Sequence, residues 1–234
     1  MVDGAAIVDA VDAPGYFISF EGGDGVGKST QLRLLRDWLA EVTGRDVVLT
    51  REPGGTELGA VLRRAILHGD DMDPRTEALL YAADRAHHVA SLIRPALERG
   101  AVVLTDRYLD SSLAYQAVGR GLGDDSVEVV NRWAVQDLMP DATVLLDLDP
   151  VVAARRRTST PDRLERAGDE FHRRTREAFL SRAAAEPDRW IVIDADGDVD
   201  DLQAQIRVAL AARLDLAPLV EEAAWLDAEE VTSE

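Results

Sequence analysis

The chain has 234 residues, 46% of them hydrophobic, which suits one domain with a substantial core. It has no cysteine, which excludes disulfides, thiolate metal sites and cysteine catalysis and fits a cytoplasmic protein. A formal net charge of −18 argues against general nucleic-acid binding, no apolar run is long enough to span a membrane, and the acidic start (Asp3, Asp9, Asp12) is not that of a signal peptide.

Residues 1–14 are expected to be an extension ahead of a core domain covering 15–214. Tyr16–Phe20 is a short apolar run suited to a buried parallel strand. It leads into Gly22-Gly23-Asp24-Gly25-Val26-Gly27-Lys28-Ser29, which fits the phosphate-binding pattern G-x-x-x-x-G-K-[ST]. Leu32, Leu34, Leu35, Trp38 and Leu39 follow at helical spacing, giving the strand–loop–helix order that this motif requires. Gly22, Gly25 and Gly27 let the backbone turn its N–H groups toward an anion, and the helix adds the positive end of its dipole. Residues Gly22 through Thr30 are thus the candidate ATP-binding loop, with Lys28 on the β- and γ-phosphates and Ser29 on Mg2+. Lys28 is the only lysine; the other 25 cations of the Lys+Arg total are arginines. An ammonium is a compact point charge that suits a tight loop, whereas a guanidinium is a broad fork.

Four more strand-like runs follow, Asp46–Arg51, Ala101–Asp106, Ala142–Asp147 and Trp190–Asp194. Helical patterns separate them, at about 57–68, 74–99, 110–118, 126–138, 150–157, 169–186 and 198–214. The alternation predicts an α/β fold of P-loop NTPase type, a five-stranded parallel sheet with helices on both faces. Ligands of such sheets sit at the carboxyl ends of the strands, where Glu21, Arg51-Glu52-Pro53, Asp106-Arg107 and Asp147 fall. Asp106 can orient water on Mg2+ and Arg107 can clamp phosphates; a strand-end salt bridge is the plainer alternative. Tyr81 and Arg85, four apart on one helix, could stack a base and bind its edge, or be a core tyrosine beside a surface arginine. Arg155, Arg156 and Arg157, with Arg163 and Pro161 nearby, suit a lid over phosphates at about 151–165, or a solvated helix face. After Arg213 no basic residue remains, so 215–234 is expected to be an acidic extension, either a solvated tail or a docked terminal helix.

FEGGDGVGKST, TREPGGT, LLYAADRAHHV, DRYLDSSLAYQ and DRLE, in this order over about residues 16–213, resemble the bacterial thymidylate kinases. The resemblance implies ATP + dTMP → ADP + dTDP with Mg2+, in a family that is generally homodimeric. It also implies that Arg107 and Arg63 hold the acceptor phosphate and that Tyr81, where the family usually has Phe, stacks on thymine. Arg85 would contact a thymine carbonyl, Ser112 and Gln116 would serve the N3 region, and Tyr115 would lie against C2′ of the sugar. Asp24 and Glu52 would lie near the 3′-hydroxyl, Mg2+ or ordered water, and His88 has no assigned role. Some relatives carry an arginine in the P-loop where this chain has Gly25-Val26; without it, the lid run Arg155–Arg157 would supply the cation. The acceptor is already an anionic oxygen, so such a reaction needs alignment and charge neutralisation rather than a strong base. A UMP or CMP kinase, and a nucleotide-binding regulator without catalysis, are the competing readings.

Overall fold

The computed structural model describes residues 15–157 and 161–216. The expected extensions at 1–14 and, from residue 217 onward, at the C-terminus lie outside the described residues, as does part of the lid at 158–160. Five strands, β1 (Phe17–Glu21), β2 (Val47–Arg51), β3 (Val102–Asp106), β4 (Ala142–Asp147) and β5 (Trp190–Asp194), form one sheet. Their order is β2-β3-β1-β4-β5 and every pairing is parallel. This is the α/β sheet expected from the sequence, with strand bounds within a residue of the apolar runs.

The helices are α1 (Lys28–Thr43), α2 (Glu57–His68), α3 (Pro74–His88), α4 (Arg94–Glu98), α5 (Leu109–Ser112), α6 (Asp124–Val135), α7 (Pro150–Arg156), α8 (Asp169–Ala185) and α9 (Val199–Arg213). A π-helical segment, Val89–Ile93, joins α3 to α4, so the long pattern at 74–99 is one rod with a widened turn. A second π segment, Leu113–Gly119, continues α5 and carries Tyr115 and Gln116. Such segments are frequent at functional sites, because the widened turn re-aims the side chains that follow.

The inner strands β1, β3 and β4 alternate between cores on the two faces of the sheet. Ile18 and Phe20 of β1 pack with Leu32, Leu35 and Leu39 of α1 and with Ile206 and Leu210 of α9. Phe17 faces the other way, against Val89, Ile93, Tyr108 and Leu113. A third cluster, Tyr81, Tyr115, Phe171, Phe179 and Trp190, joins α3, the second π segment, α8 and β5 beside the strand ends. The alternation puts Ser19 and Glu21, both fully buried, on the Phe17 side of β1. Leu216 is also fully buried and its N–H bonds Ala211 O, so packing runs two residues past the expected boundary at 214.

Candidate active site

The loop after β1 takes the conformation its glycines were expected to allow. Gly22, Gly25 and Gly27 have φ of 125°, 90° and 100°. Gly25 is also required by packing: a Cβ there would lie 2.3 Å from Ala153 O and 3.0 Å from Arg157 Cγ. Helix α7, the start of the predicted lid, therefore lies directly on the P-loop. Lys28 is buried at the foot of the loop, where Nζ donates to Gly22 O (3.1 Å) and Gly23 O (2.6 Å). Burial and neighbouring Arg107 push the Lys28 pKa down, while Asp106, Asp24 and Glu21 oppose them.

Ser29 Oγ meets Asp106 Oδ2 at 3.5 Å, and Asp106 Oδ1 is buried without a partner. A hydroxyl and an orphaned carboxylate oxygen are the hard donors Mg2+ takes when it is held mainly by phosphates and water. Among the described residues no group of three or more His, Asp or Glu is placed to hold a metal ion by itself.

Arg107 has φ 73°, a left-handed conformation that costs a non-glycine residue about 1–3 kcal/mol. Its N–H bonds Phe20 O and its carbonyl accepts from Thr105 Oγ1, both at 2.9 Å. This backbone turn aims the guanidinium back across β1. Nη1 donates to Gly22 O (3.0 Å) and Ser111 Oγ (3.2 Å), and Nη2 to Asp24 Oδ1 (2.6 Å). The guanidinium also lies over the Tyr115 ring, 5.0 Å from its centroid. Burial would raise the Asp24 pKa, but Arg107 and Lys28 outweigh it and hold the carboxyl below the usual range.

Asp24, Glu52, Arg63, Tyr81, Arg85, Arg107, Ser112, Tyr115 and Gln116 all line one cleft of about 490 Å3 at the strand ends, together with Asp162 and Leu164. These nine are the residues singled out from the sequence for the acceptor nucleotide. The Tyr115 hydroxyl is buried there without a hydrogen-bond partner.

Arg85 is neither free nor at the surface. It is 1% exposed, and Nε bonds Glu52 Oε2 (2.6 Å), Nη1 bonds Ser112 Oγ (2.9 Å) and Asn131 Oδ1, and Nη2 bonds Tyr108 O (3.0 Å). Four of its five N–H groups are used, leaving one on Nη2 for the cleft. Glu52, expected near a 3′-hydroxyl or Mg2+, has both oxygens engaged: Arg85 takes one and His88 Nδ1 the other (2.9 Å). His88, which had no assigned role, thus anchors the REPGGT loop, with Nε2 on Thr50 Oγ1 (2.7 Å). Beside it Asp84 accepts from Gly54 N, and burial and the Glu52 charge push its pKa up to about 6.

Glu77 and Asn131 were missed from the sequence, while Glu21 was placed only at the ligand end of its strand and His88 was left without a role. Glu77 is fully buried and takes Gln116 Nε2 (2.9 Å), Arg120 (3.0 Å) and Arg163 Nη1 (2.6 Å). A charged residue inside a helical pattern was the one available signal, and it did not separate Glu77 from exposed neighbours.

The three lid arginines diverge. Arg155 is exposed. Arg156, central in the run and the natural first choice for the phosphate, instead bonds Ala195 O (2.9 Å) and Asp196 (3.1 Å) beyond β5. Arg157 lines a second cavity of about 660 Å3 with Gly22, Gly23 and Asp24, its tip 3.5 Å from Glu165. Arg163 turns away to Glu77 and Ile66 O, tying the lid's far side to α2 and α3.

The family model for thymidylate kinases matches residues 20–206. The chain is 57% identical over 197 residues to a thymidylate kinase of Bifidobacterium longum, covering 82% of this chain and 95% of that protein. It is likewise 57% identical over 205 residues to one of Leifsonia xyli, covering 86% and 97%. A crystal structure of thymidylate kinase from Ehrlichia chaffeensis superposes with a TM-score of 0.71 at 33% identity, covering 85% of this chain and 99% of that one.

Proposed function

The chain belongs to the thymidylate kinase family, and from that premise we propose that it transfers the γ-phosphoryl group of ATP to dTMP, giving dTDP for dTTP synthesis. One observation carries the assignment of the acceptor site: nine residues from β1 to the second π segment converge on a single cleft beside the P-loop. ATP takes the loop Gly22–Thr30, with Lys28 on its β- and γ-phosphates. Ser29 and Asp106 would hold Mg2+, which when bound would neutralise phosphate charge. Arg107 and Arg63 grip the acceptor phosphate, Tyr81 stacks on the base, and Tyr115 lies against the sugar with Asp24 nearby. Glu52 holds Arg85 in place at the wall of the same cleft.

Base choice follows from hydrogen-bond polarity. Glu77 is an acceptor, so Gln116 must turn its amide nitrogen toward it. The amide oxygen is left to accept, which suits the N3–H of thymine and opposes the unprotonated N3 of cytosine. The test is phosphoryl transfer to dTMP, dUMP, UMP, CMP and AMP under one set of conditions. The highest kcat/KM is expected for dTMP. Preference for UMP or CMP would replace this reading with another monophosphate kinase, and no transfer to any acceptor would favour a silent regulator.

Arg85→Ala is expected to raise the dTMP requirement roughly 10- to 100-fold and to leave ATP binding alone. It should also lower the thermal midpoint, because it leaves Glu52 as a buried carboxylate with one cation fewer. Unchanged dTMP dependence would reduce Arg85 to a structural hub.

A homodimer is supported by apolar residues left exposed on three adjoining helices: Leu58 and Val61 on α2, Leu79 on α3, and Val129 and Trp133 on α6, the last 81% exposed. Sedimentation should give twice the chain mass, and Leu79→Glu should halve it. A monomeric wild type would remove the proposal. The reaction is assigned to the cytoplasm; among the described residues no helix is long and apolar enough to cross a membrane.

A further inference from the structure

We infer that Glu21 is a positioning residue for Arg107, acting through the Ser111 hydroxyl, and so controls the grip on the acceptor phosphate. The inference rests on the reading of Arg107 as that phosphate's clamp.

Glu21 is the last residue of β1 and is fully buried immediately before the P-loop. Its Oε1 accepts from the backbone N–H groups of Tyr108 (2.9 Å) and Ser111 (3.3 Å), and its Oε2 accepts from Ser111 Oγ (2.6 Å). Tyr108 directly follows the strained Arg107, so one carboxylate oxygen pins the chain where the left-handed turn ends. The other oxygen sets the direction of a proton. Ser111 Oγ has two partners among the described residues, Glu21 and Arg107. A hydroxyl has one proton, and a guanidinium cannot accept it. The proton must go to Glu21, which leaves a lone pair for Arg107 Nη1. The same Nη1 is held by the carbonyl of Gly22, the residue after Glu21. The clamp is therefore fixed on both sides by Glu21 and its neighbour.

A carboxylate does this without loss. An amide or a protonated acid would present its own proton to Ser111, and the hydroxyl proton would lose its one acceptor among the described residues. Keeping a carboxylate here opposes folding. Burial first, and the charge of Asp110 second, push the Glu21 pKa up to about 7, against the pull of Arg107. Lys28 also faces it, and Asp110 is itself held by Arg182 and Arg189. The folded pKa lies above the ordinary 4.5, so the contribution of the neutral form to stability is complete below about 4.5 and is lost as the pH rises through about 7.

The test uses the full chain and direct binding of dTMP without ATP or metal, beside thymidine as the probe lacking a phosphate. Glu21→Gln and Ser111→Ala are each expected to weaken dTMP about tenfold and to leave thymidine unchanged. Together they should cost little more than either alone. At pH 8 Glu21→Gln should melt no lower than wild type. Wild-type affinity for dTMP should also rise more steeply than that of Glu21→Gln as the pH passes about 7; ionisation of the substrate phosphate itself is common to both. Arg107→Ala should weaken dTMP more than either variant. Should Arg107→Ala bind dTMP like wild type, the clamp reading fails and this inference with it. If Arg107→Ala weakens dTMP but Glu21→Gln and Ser111→Ala do not, only the inference fails. Equal loss of dTMP and thymidine in Glu21→Gln, or a lower melting point at pH 8, would mark Glu21 as structural and overturn the assignment.

Discussion

Lys28→Ala should cut ATP-dependent phosphorylation of dTMP by at least about 10²–10³-fold, the scale on which removal of one preorganised charge acts at a transition state. The fold should survive. Nζ now bridges the carbonyls of Gly22 and Gly23, and Gly22 O keeps Arg107 as a second donor when the lysine is cut back. The more demanding variant is Lys28→Arg, which preserves charge. Lys28 is buried beneath a loop in which three of the four glycines have positive φ, and its tip reaches the carbonyls of two adjacent residues. A planar fork is too broad for that position, so the loop would open or the fork would leave it, and turnover should fall nearly as far as in Lys28→Ala. Circular dichroism and steady-state kinetics on both variants suffice. Near-normal turnover by Lys28→Arg would defeat the point-charge account, and with it the reason this arginine-rich chain keeps one lysine.

Arg157→Ala is expected to lower the rate of phosphoryl transfer by about 10³-fold or more, as loss of an inserted arginine does in related reactions, while dTMP affinity stays close to wild type. Neither the loop residues Gly25-Val26 nor the rest of the P-loop carries an arginine, so the charge developing on the transferring group needs a cation from elsewhere. Arg157 meets the geometric requirement: its stem lies against Gly25 and it lines the cavity with Gly22, Gly23 and Asp24. Glu165 is its present partner at 3.5 Å, an interaction loose enough to be exchanged for a phosphate. Arg156→Ala should cost much less, since its guanidinium is engaged beyond β5. Single-turnover transfer measured beside dTMP binding separates the two effects. A variant with all three of Arg155, Arg156 and Arg157 changed to alanine that still turned over like wild type would return the run to a solvated helix face.

Much of this was legible in the chain itself. The apolar runs gave all five strands to within a residue, and the order strand–loop–helix gave the phosphate loop. These signals are local: a strand declares itself by composition over five or six residues, a helix by spacing of three and four, and the P-loop by glycines where φ must be positive. The family resemblance extended the reading to the nine residues of the acceptor cleft.

Partnerships were decided only by the folded molecule. Three consecutive arginines look alike in sequence, but α7 ends at Arg156 and the backbone is extended at Arg157, so Arg156 turns to Asp196 and Arg157 to the loop. Arg85 reads as a surface or ligand arginine until Glu52, 33 residues away, and Asn131, 46 away, are found on its guanidinium. Glu21 reaches Ser111 across 90 residues because parallel pairing brings the ends of β1 and β3 side by side. Local geometry tells where a side chain can point. Which charge meets which is settled by crossover connections that join distant strand ends, and in a site made of buried ion pairs those meetings hold the chemistry in place.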